Sequence, residues 1–170
     1  LWRNATLAVL ASTLLMGIYI AIRFDFRFGL GAAVAVLHDV IWTIGALVVA
    51  QMEFDLTTVA ALLTVVGFSV NDTVVISHRI RENMRKRRRD TLTTLMNVSI
   101  NETLSRTVIN SGTALLVVIA LFLLGGDVIH SFAFALLVGF TVGTYSSIFI
   151  AAPIVLWLER WRGPSAASRK

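Results

Sequence analysis

The chain lacks cysteine and carries little charge. None of its 170 residues is cysteine, which excludes a disulfide framework and a thiolate metal site. Asp, Glu, Lys and Arg together make up 15% of the residues, whereas soluble domains average about 25%. Hydrophobic residues reach 56%, and the mean hydropathy is +0.80. This composition favours an integral membrane protein over a soluble domain.

Several classes of functional motif are also missing from the sequence. It contains no Gly-rich phosphate loop, no metal-ligand cluster and no nucleophile constellation. We therefore expect no metal, no organic cofactor and no enzymatic activity. The pI of about 10.7 suits nucleic acid, but no aromatic side chains are interleaved with the arginines of the run 85–89, so no nucleic-acid partner is expected. The basic run 85–89 is interpreted first as a topology anchor and second as a contact for anionic lipid or protein.

Long apolar runs dominate what is present. A helix that crosses the hydrocarbon core of a bilayer needs about 20 mostly apolar residues. Five stretches meet that requirement, and none shows the polar stripe of a soluble amphipathic helix. The last stretch contains Pro153, where we expect a bend. The predicted fold class is an all-α, polytopic transmembrane bundle in the lipid bilayer. Its five spans cover residues 5–22, 30–50, 56–76, 107–124 and 132–158.

The basic residues predict the orientation of these spans. Fourteen of the fifteen Lys and Arg residues lie in residues 23–29, in residues 77–106 or in the C-terminal tail, and Arg3 is the exception. Because basic loops remain on the cytoplasmic side, we expect a cytoplasmic C-terminus and a periplasmic N-terminus for this chain. An outward first residue leads us to expect an earlier span in the complete protein.

The segment 77–106 connects the third and fourth spans on the predicted cytoplasmic side. Asp90 is a suitable residue to cap a new helix. After it, Leu92, Leu95 and Met96 recur at helical spacing, with polar residues between them. An amphipathic helix of this kind lies along a membrane surface. We therefore predict a cytoplasmic interfacial helix that precedes the fourth span.

An ionisable residue interrupts the third span. Asp72 lies seven residues before Arg79, which places it about 10 Å inside the membrane. An unpaired ionised carboxylate there costs about 2.5–3.5 kcal/mol, so Asp72 needs either a proton or a cation. Arg106, which opens the fourth span, is the candidate partner. The residue chemistry leaves a proton-binding role and a static interhelical ion pair open equally. Hydrogen-bonding groups expected at nearby depths are Asn71, Thr73, Asn110 and Ser111.

Two further patterns lie inside the spans. His38 and Asp39 are near the middle of the second span. Asp39 is a candidate for a second proton-relay group, and a hydrogen-bonded packing pair with neutral His38 is an equally open alternative. Gly139 and Gly143 form a G-x-x-x-G pattern in the last span, which predicts a close helix–helix contact.

Several motifs occur together in a particular order along the chain. GFSVNDTVV (67–75) closes one span, HRIREN (78–83) follows, and SINETLSRT (99–107) enters the next. LHDVIWTIG (37–45) lies upstream of them and ALFLLGG (120–126) downstream. This combination resembles the SecF branch of the SecD–SecF protein-export family, which is related to the resistance-nodulation-division transporters. The resemblance covers essentially the whole chain. SecD typically carries Asp-Ala-Asn where this sequence has Asn-Asp-Thr.

The resemblance implies a fold and a function. SecF proteins have six spans, with a periplasmic domain between the first and the second. This chain then holds the second to sixth spans, and the first span and periplasmic domain are absent from it. The implied function is proton-driven assistance to Sec-dependent protein translocation across the bacterial cytoplasmic membrane. The implied partners are SecD, the SecYEG translocon and translocating preproteins, with protons as the coupling ion.

The resemblance also assigns residues. In the family, the Asp of Asn-Asp-Thr and the Arg of Ser-Arg-Thr are tied to proton passage, and these match Asp72 and Arg106. His78 stands where the family more often has Asp, which argues against a proton-exit role at that position. Two alternative functions are a fragment of a proton-coupled small-molecule efflux transporter of the same superfamily and a passive assembly scaffold.

Overall fold

The computed structural model of the chain describes residues 2–23, 26–87 and 90–161. Arg88, Arg89 and most of the predicted cytoplasmic tail 159–170, from residue 162 onward, lie outside these ranges. Within them, all regular secondary structure is helical. A 3₁₀ turn at Asp127–Ile129 and a π turn at Ser147–Ala151 accompany six α-helices. These are α1 (Trp2–Arg23), α2 (Phe26–Val49), α3 (Leu56–Lys86), α4 (Leu92–Leu124), α5 (His130–Ser146) and α6 (Ala152–Trp161).

Four helical stretches of the described chain are long and apolar enough to cross a membrane. They are Phe26–Val49, Leu56–Lys86, Leu92–Leu124 and Asp127–Leu158. Leu7–Ile22, within α1, is a shorter apolar helix at the position of the first predicted span. The predicted fold class, an all-α transmembrane bundle, is confirmed, and the protein is a membrane protein.

The outside of the bundle is largely apolar, unlike that of a soluble protein, and polar groups are buried inside beside the apolar core. Large apolar side chains cover the outside: Ile22 is 82% exposed, and Val49 and Leu124 are each 86% exposed. The interior contains carboxylate and hydroxyl side chains, and Asp39 and Ser69 are fully buried there. Hydrocarbon accepts the apolar surface, whereas buried polar groups must find partners inside the protein. The polar interior is therefore where a functional site is expected.

The segment 77–106 differs from its prediction. α3 continues beyond the predicted end of the third span to Lys86, and α4 runs without interruption from Leu92 to Leu124. The N-cap of α4 is Thr91 rather than Asp90, and its hydroxyl accepts a hydrogen bond from the backbone N–H of Thr94 at 3.3 Å. The predicted separate interfacial helix is wrong in this respect, because its residues form the first turns of α4.

Packing explains the continuous helix. No proline lies between residues 92 and 124, so nothing interrupts the backbone hydrogen bonds of α4. Met96 of α4 is buried in the same apolar cluster as Ile80 of α3. Beside it, Asn83 Nδ2 donates to Ser99 Oγ at 2.9 Å. The α3–α4 hairpin thus extends the bundle core past the apolar spans. Its part formed by residues 77–87 and 90–106 is the basic end.

The last span is interrupted next to its proline, as the sequence predicts. α5 and α6 are separated by the π turn Ser147–Ala151. Pro153 has no N–H to offer the carbonyl of Phe149, and its ring crowds that carbonyl. A wider π turn just before the proline accommodates both effects, which is a common form of helix irregularity.

α5 occupies the centre of the bundle, where it contacts α2, α3 and α4. Its two motif glycines face α3. A methyl group added to Gly139 would overlap the side chain of Val65. A Cβ added to Gly143 would lie 3.3 Å from Ser69 Cβ. α5 therefore approaches α3 closely along the face that carries Gly139 and Gly143. The hydroxyl of Ser146 on α5 reaches Asp39, and that of Thr144 reaches Ser111, which contacts Asp72.

Candidate functional site

Asp72 is buried between α3 and α4. Its residue is 2% exposed. Ser111 Oγ of α4 donates to Asp72 Oδ2 at 3.4 Å, and the amide side chain of Asn110 is the second polar group near this carboxylate. A hydroxyl–carboxylate hydrogen bond is usually 2.5–3.0 Å long, so the contact with Ser111 is a weak one. The carboxylate is shielded from solvent but only loosely held by its neighbours.

A chain of hydroxyl groups leads from Asp72 to the central helix. Thr144 of α5 donates to Ser111 Oγ, with 2.8 Å between the two oxygens. Thr144 Oγ1 also lies 2.8 Å from the backbone carbonyl oxygen of Phe140. A hydroxyl both donates and accepts, so Thr144 and Ser111 connect the carboxylate to α5 without adding a charged group.

Arg106 and Asn71 lie on the outside of the same two helices. Both side chains are exposed. None of the ion pairs among the described residues joins Asp72 to Arg106, so the predicted pairing is not formed in this structure. The register of α4 gives the reason: Ser111 faces Asp72, and Arg106 lies five residues earlier, about 7–8 Å nearer the basic end. Arg106 and Asn110 share one face of α4, because residues four apart are neighbours on a helix.

The second carboxylate, Asp39, has a more complete set of partners. It is 0% exposed. Ser69 of α3 donates to Asp39 Oδ2 at 2.5 Å, and Ser146 of α5 donates to the same oxygen at 2.7 Å. His38 Nδ1 lies 3.1 Å from Asp39 Oδ1. The group therefore ties three helices together at one point inside the membrane.

Of two further predicted site residues, His38 contacts Asp39 directly, whereas Thr73 bonds to the backbone of α3. The His38 side chain is 29% exposed, and its ring lies near the Trp42 ring, with 6.1 Å between centroids. Thr73 is buried on α3 and donates to the carbonyl oxygen of Ser69 at 3.1 Å. Thr73 is thus bonded to the backbone of Ser69, whose hydroxyl donates to Asp39.

A network of charged groups holds the basic end together. Arg79 Nε donates to Glu102 Oε2 at 2.7 Å, and Arg79 Nη1 donates to Glu82 Oε2 at 2.6 Å. Hydrogen bonds from Lys86 and then Arg79 lower the pKa of Glu82 to about 2. Those from Asn83 and then Arg79 lower the pKa of Glu102. Both carboxylates remain ionised at neutral pH. Glu102 joins α4 to Arg79 and Asn83 of α3, whereas Glu82 pairs with Arg79 and Lys86 within α3.

Sequence reasoning identified both buried carboxylates and Ser111 but missed three hydroxyl partners. Ser69 precedes Asp72 by three residues, so the two share a face of α3, and this spacing was a usable signal. Ser146 and Thr144 stand in an apolar span in which hydroxyl residues are common. The packing of α5 against α2 and α4 is what brings Ser146 to Asp39 and Thr144 to Ser111. The sequence alone does not separate these two residues from hydroxyl residues that bond only within their own helix.

The arrangement suits the binding of a proton. Each carboxylate is buried in the membrane part, and its neighbours across the helix interfaces are mainly hydroxyls. A hydroxyl donates to an ionised carboxylate and accepts from a protonated one. Both charge states of the aspartate thus keep hydrogen-bond partners without a large movement. No group of three or more His, Cys, Asp or Glu residues that could hold a metal occurs in the described part of the chain.

The family of the chain follows from comparison with known proteins. The family model described as "Protein export membrane protein SecD/SecF, C-terminal" matches residues 1–161. The chain is a member of the SecD/SecF family. This agrees with the resemblance seen in the Asn-Asp-Thr and Ser-Arg-Thr motifs, which contain Asp72 and Arg106.

Curated relatives from several bacteria are SecF proteins. The protein translocase subunit SecF of Vibrio alginolyticus is 55% identical over 152 residues, which are 89% of this chain and 48% of the relative. The SecF subunit of Cereibacter sphaeroides is 50% identical over 161 residues, which are 95% of this chain and 50% of the relative. The chain therefore spans about half the length of the SecF relatives it matches.

Solved SecDF structures contain the same helical arrangement. SecDF of Thermus thermophilus, described as a translocon-associated membrane protein, matches with a TM-score of 0.89 and 47% identity. That match covers 93% of this chain and 22% of the SecDF chain. A SecDF structure in a super-membrane-facing form matches with a TM-score of 0.87 and 48% identity, over 95% of this chain and 22% of that one. The SecF-like membrane fold is thus shared over nearly the whole chain.

Proposed function

We propose that this chain is the membrane-embedded part of a SecF-type subunit that uses the proton-motive force to assist Sec-dependent protein translocation. It acts in the bacterial cytoplasmic membrane with SecD, beside the SecYEG translocon, on translocating preproteins. Its coupling ion is the proton, and its role is transport rather than catalysis. The observation that carries the proposal is Asp72, a carboxylate buried in an apolar span with one weak hydroxyl contact.

Asp72 is the proton-binding group in this proposal. An ionised carboxylate in a membrane span needs a cation or a proton, and no ion pair to Asp72 is present among the described residues. The protonated form donates to Ser111 Oγ, and the hydroxyl chain then points from Ser111 through Thr144 to the carbonyl of Phe140. When the proton leaves, the same hydroxyls turn back toward the carboxylate.

Arg106 supplies the alternative partner. It lies one helical turn from Asn110 on the exposed face of α4, and Asn110 is already near Asp72. A side-chain rotation combined with a small shift of α4 brings the guanidinium to the ionised carboxylate. Proton release and formation of this ion pair then occur together, because the cation stabilises the charged form of the carboxyl group.

SecD is the proposed occupant of the polar outer face of α3 and α4. Asn71, Arg106 and Asn110 are exposed there in or next to the spans, and hydrocarbon does not satisfy such groups. On the same face of α3, a Cβ added to Gly67 meets nothing within 4 Å. Small and polar residues of this kind are typical of contacts between transmembrane helices. The matched SecDF chains are more than four times as long as this segment, with 22% of their length covered, which leaves room in such an assembly for a partner on that face.

The function is tested with Asp72→Asn in the full-length protein, assembled with SecD. Asparagine keeps the shape and the hydrogen-bonding groups of the side chain but does not titrate. We expect normal insertion and normal assembly with SecD, together with loss of the proton-driven part of preprotein translocation in membrane vesicles. Asp55→Asn is the matched control, because Asp55 is the N-cap of α3 and asparagine caps helices equally well.

Wild-type translocation by Asp72→Asn vesicles would reduce Asp72 to a packing residue and support the scaffold alternative. Equal losses in both variants would mean that general damage, rather than the missing proton site, explains the result. Only a loss confined to Asp72→Asn, with SecD still bound, supports the proposal.

A further inference from the structure

The mechanism proposed above leaves the most completely buried carboxylate without a role. Asp39 is 0% exposed and accepts hydrogen bonds from two different helices. Within the described residues, His38 is the one other titratable side chain in contact with it. The groups that α3 and α5 present to it are the hydroxyls of Ser69 and Ser146. Asp72, which follows Ser69 by three residues on α3, is the other carboxylate of the membrane interior.

Ser146 has two acceptors for its single hydrogen. Its Oγ lies 2.7 Å from Asp39 Oδ2 and 3.2 Å from the carbonyl oxygen of Gly143. With Asp39 ionised, Ser146 donates to the carboxylate. With Asp39 protonated, the carboxyl O–H donates to Ser146 Oγ, and the serine hydrogen turns to the Gly143 carbonyl. Both states satisfy every group while the heavy atoms remain in place.

A path of buried hydroxyls leads from Asp39 toward the basic end. Ser69, Thr73 and Ser77 occupy positions four residues apart on α3, so they lie on one face, and they are 0%, 3% and 4% exposed. The path covers about 12 Å along the helix axis. Its second half borders a cavity of about 10 Å³, which is room for one water molecule. The polar residues that line this cavity are Thr73, Ser77 and Ser147.

We propose that Asp39 is a second proton-binding carboxylate, which exchanges its proton with the basic end along the hydroxyl path Ser69–Thr73–Ser77. The proton is held on Asp39 Oδ2 and is passed through reorientation of the hydroxyls and of the water in the cavity. Ser146 is a positioning residue, because it turns between the carboxylate and the Gly143 carbonyl as the proton binds and leaves. The inference deepens the proton-driven function proposed above and rests on it for its purpose, but Asp39 titration is measurable independently of transport.

The first test is an infrared titration of the full-length protein in its complex with SecD. Difference spectra between alkaline and acidic buffer report the carbonyl band of each carboxylic acid that forms. We expect one band that is absent in Asp39→Asn and a different one that is absent in Asp72→Asn. Ser146→Ala should change the midpoint of the Asp39 band. Thr43→Val is the control, because the Thr43 hydroxyl donates to the backbone carbonyl of Asp39 and not to the carboxylate.

The second test addresses the path. Thr73→Val preserves the shape of the side chain and removes its hydroxyl. Loss of a proton-transfer group typically slows a reaction by 10²–10⁴-fold. Because the path borders a cavity with room for one water, loss of one hydroxyl should have an effect near the lower limit, about 100-fold on proton flux. The Asp39 band should persist in this variant, because the carboxylate keeps its partners. Thr43→Val should retain wild-type flux.

The outcomes separate this inference from the proposed function. An Asp39→Asn spectrum identical to wild type would overturn the second proton site, whatever the flux. Wild-type flux in Thr73→Val would overturn the path. Absence of proton flux in the wild-type complex would overturn the proposed function. The proton site at Asp39 would still be supported if its infrared band titrated and Ser146→Ala shifted the midpoint of that titration.

Discussion

Close packing of α5 against α3 gives the sharpest test of the bundle itself. A Cβ at position 139 would overlap one γ-carbon of Val65, lie 2.8 Å from the other and lie 3.0 Å from its Cβ. Carbon atoms in contact are normally 3.5–4.0 Å apart. Because valine in a helix has one strongly preferred rotamer, the overlap is relieved mainly by moving α5 outward by about 1 Å. We therefore expect Gly139→Ala to lower the free energy of unfolding by about 1–3 kcal/mol, the usual range for overpacking.

The measurement is the unfolding free energy of the full-length protein in detergent or bicelles. Gly45→Ala is the control, because a Cβ added there meets nothing within 4 Å, and alanine is the better helix former by about 1 kcal/mol. Val65→Ala combined with Gly139→Ala should recover part of the loss, since it removes the two γ-carbons that collide. If Gly139→Ala were as stable as wild type, the close approach of α5 to α3 would be refuted.

Three further predictions concern orientation, partner and pH. A cysteine placed at Val128, which is 83% exposed, should react with an impermeant thiol reagent from the periplasm, and reaction only from the cytoplasm would reverse the topology. Gly67→Leu should abolish co-purification with SecD while Gly45→Leu does not, because both sites are open within this chain but only the first lies on the proposed SecD face. Since the folded-state pKa of Glu82 is lowered from 4.5 to about 2, its contribution to stability is complete above pH 4.5 and is lost as the pH falls toward 2. The difference in unfolding midpoint between wild type and Glu82→Gln should disappear over that range, and a difference that persisted at pH 2 would contradict the assignment.

The apolar runs made the fold class predictable. Each run is too long and too uniformly apolar for a soluble helix, and the bilayer leaves an α-helix as the available structure for such a run. Pro153 also signalled the interruption of the last span, because a proline removes a specific backbone hydrogen bond wherever it stands inside a helix. These features depend on local sequence and therefore appear without knowledge of the packing.

The basic end was harder to predict because its structure depends on contacts between helices. Polar residues near Asp90 suggested a break and a new helix on the membrane surface. The structure instead extends α3 and α4 into one hairpin, joined by Arg79 with Glu102 and by Asn83 with Ser99. No local pattern identifies these pairs, since residues 16 to 23 positions apart meet only after the hairpin has formed.

The site, too, was predictable where it depends on single residues and not where it depends on contacts between helices. Asp72 and Asp39 stood out as carboxylates in apolar spans, and the cost of burying a charge was enough to select them. Their partners did not stand out, because a serine or threonine in a membrane helix usually donates to its own backbone. Thr113 and Thr141 do so in this structure, whereas Ser69 and Ser146 reach across to Asp39. The direct pairing of Asp72 with Arg106 remains a prediction for another state of the transport cycle.

The central claim is that Asp72 carries the proton, and the most direct test is proton flux through liposomes that contain the full-length protein with SecD. Flux is measured with a pH-sensitive dye under an imposed potential, for wild type, Asp72→Asn and Asp72→Glu. We expect wild-type flux to fall by about 100-fold or more in Asp72→Asn, in line with the loss of other proton-transfer groups. Asp72→Glu should recover part of it, because glutamate titrates but places its carboxylate farther along the side chain. Equal flux from wild type and Asp72→Asn would contradict the claim.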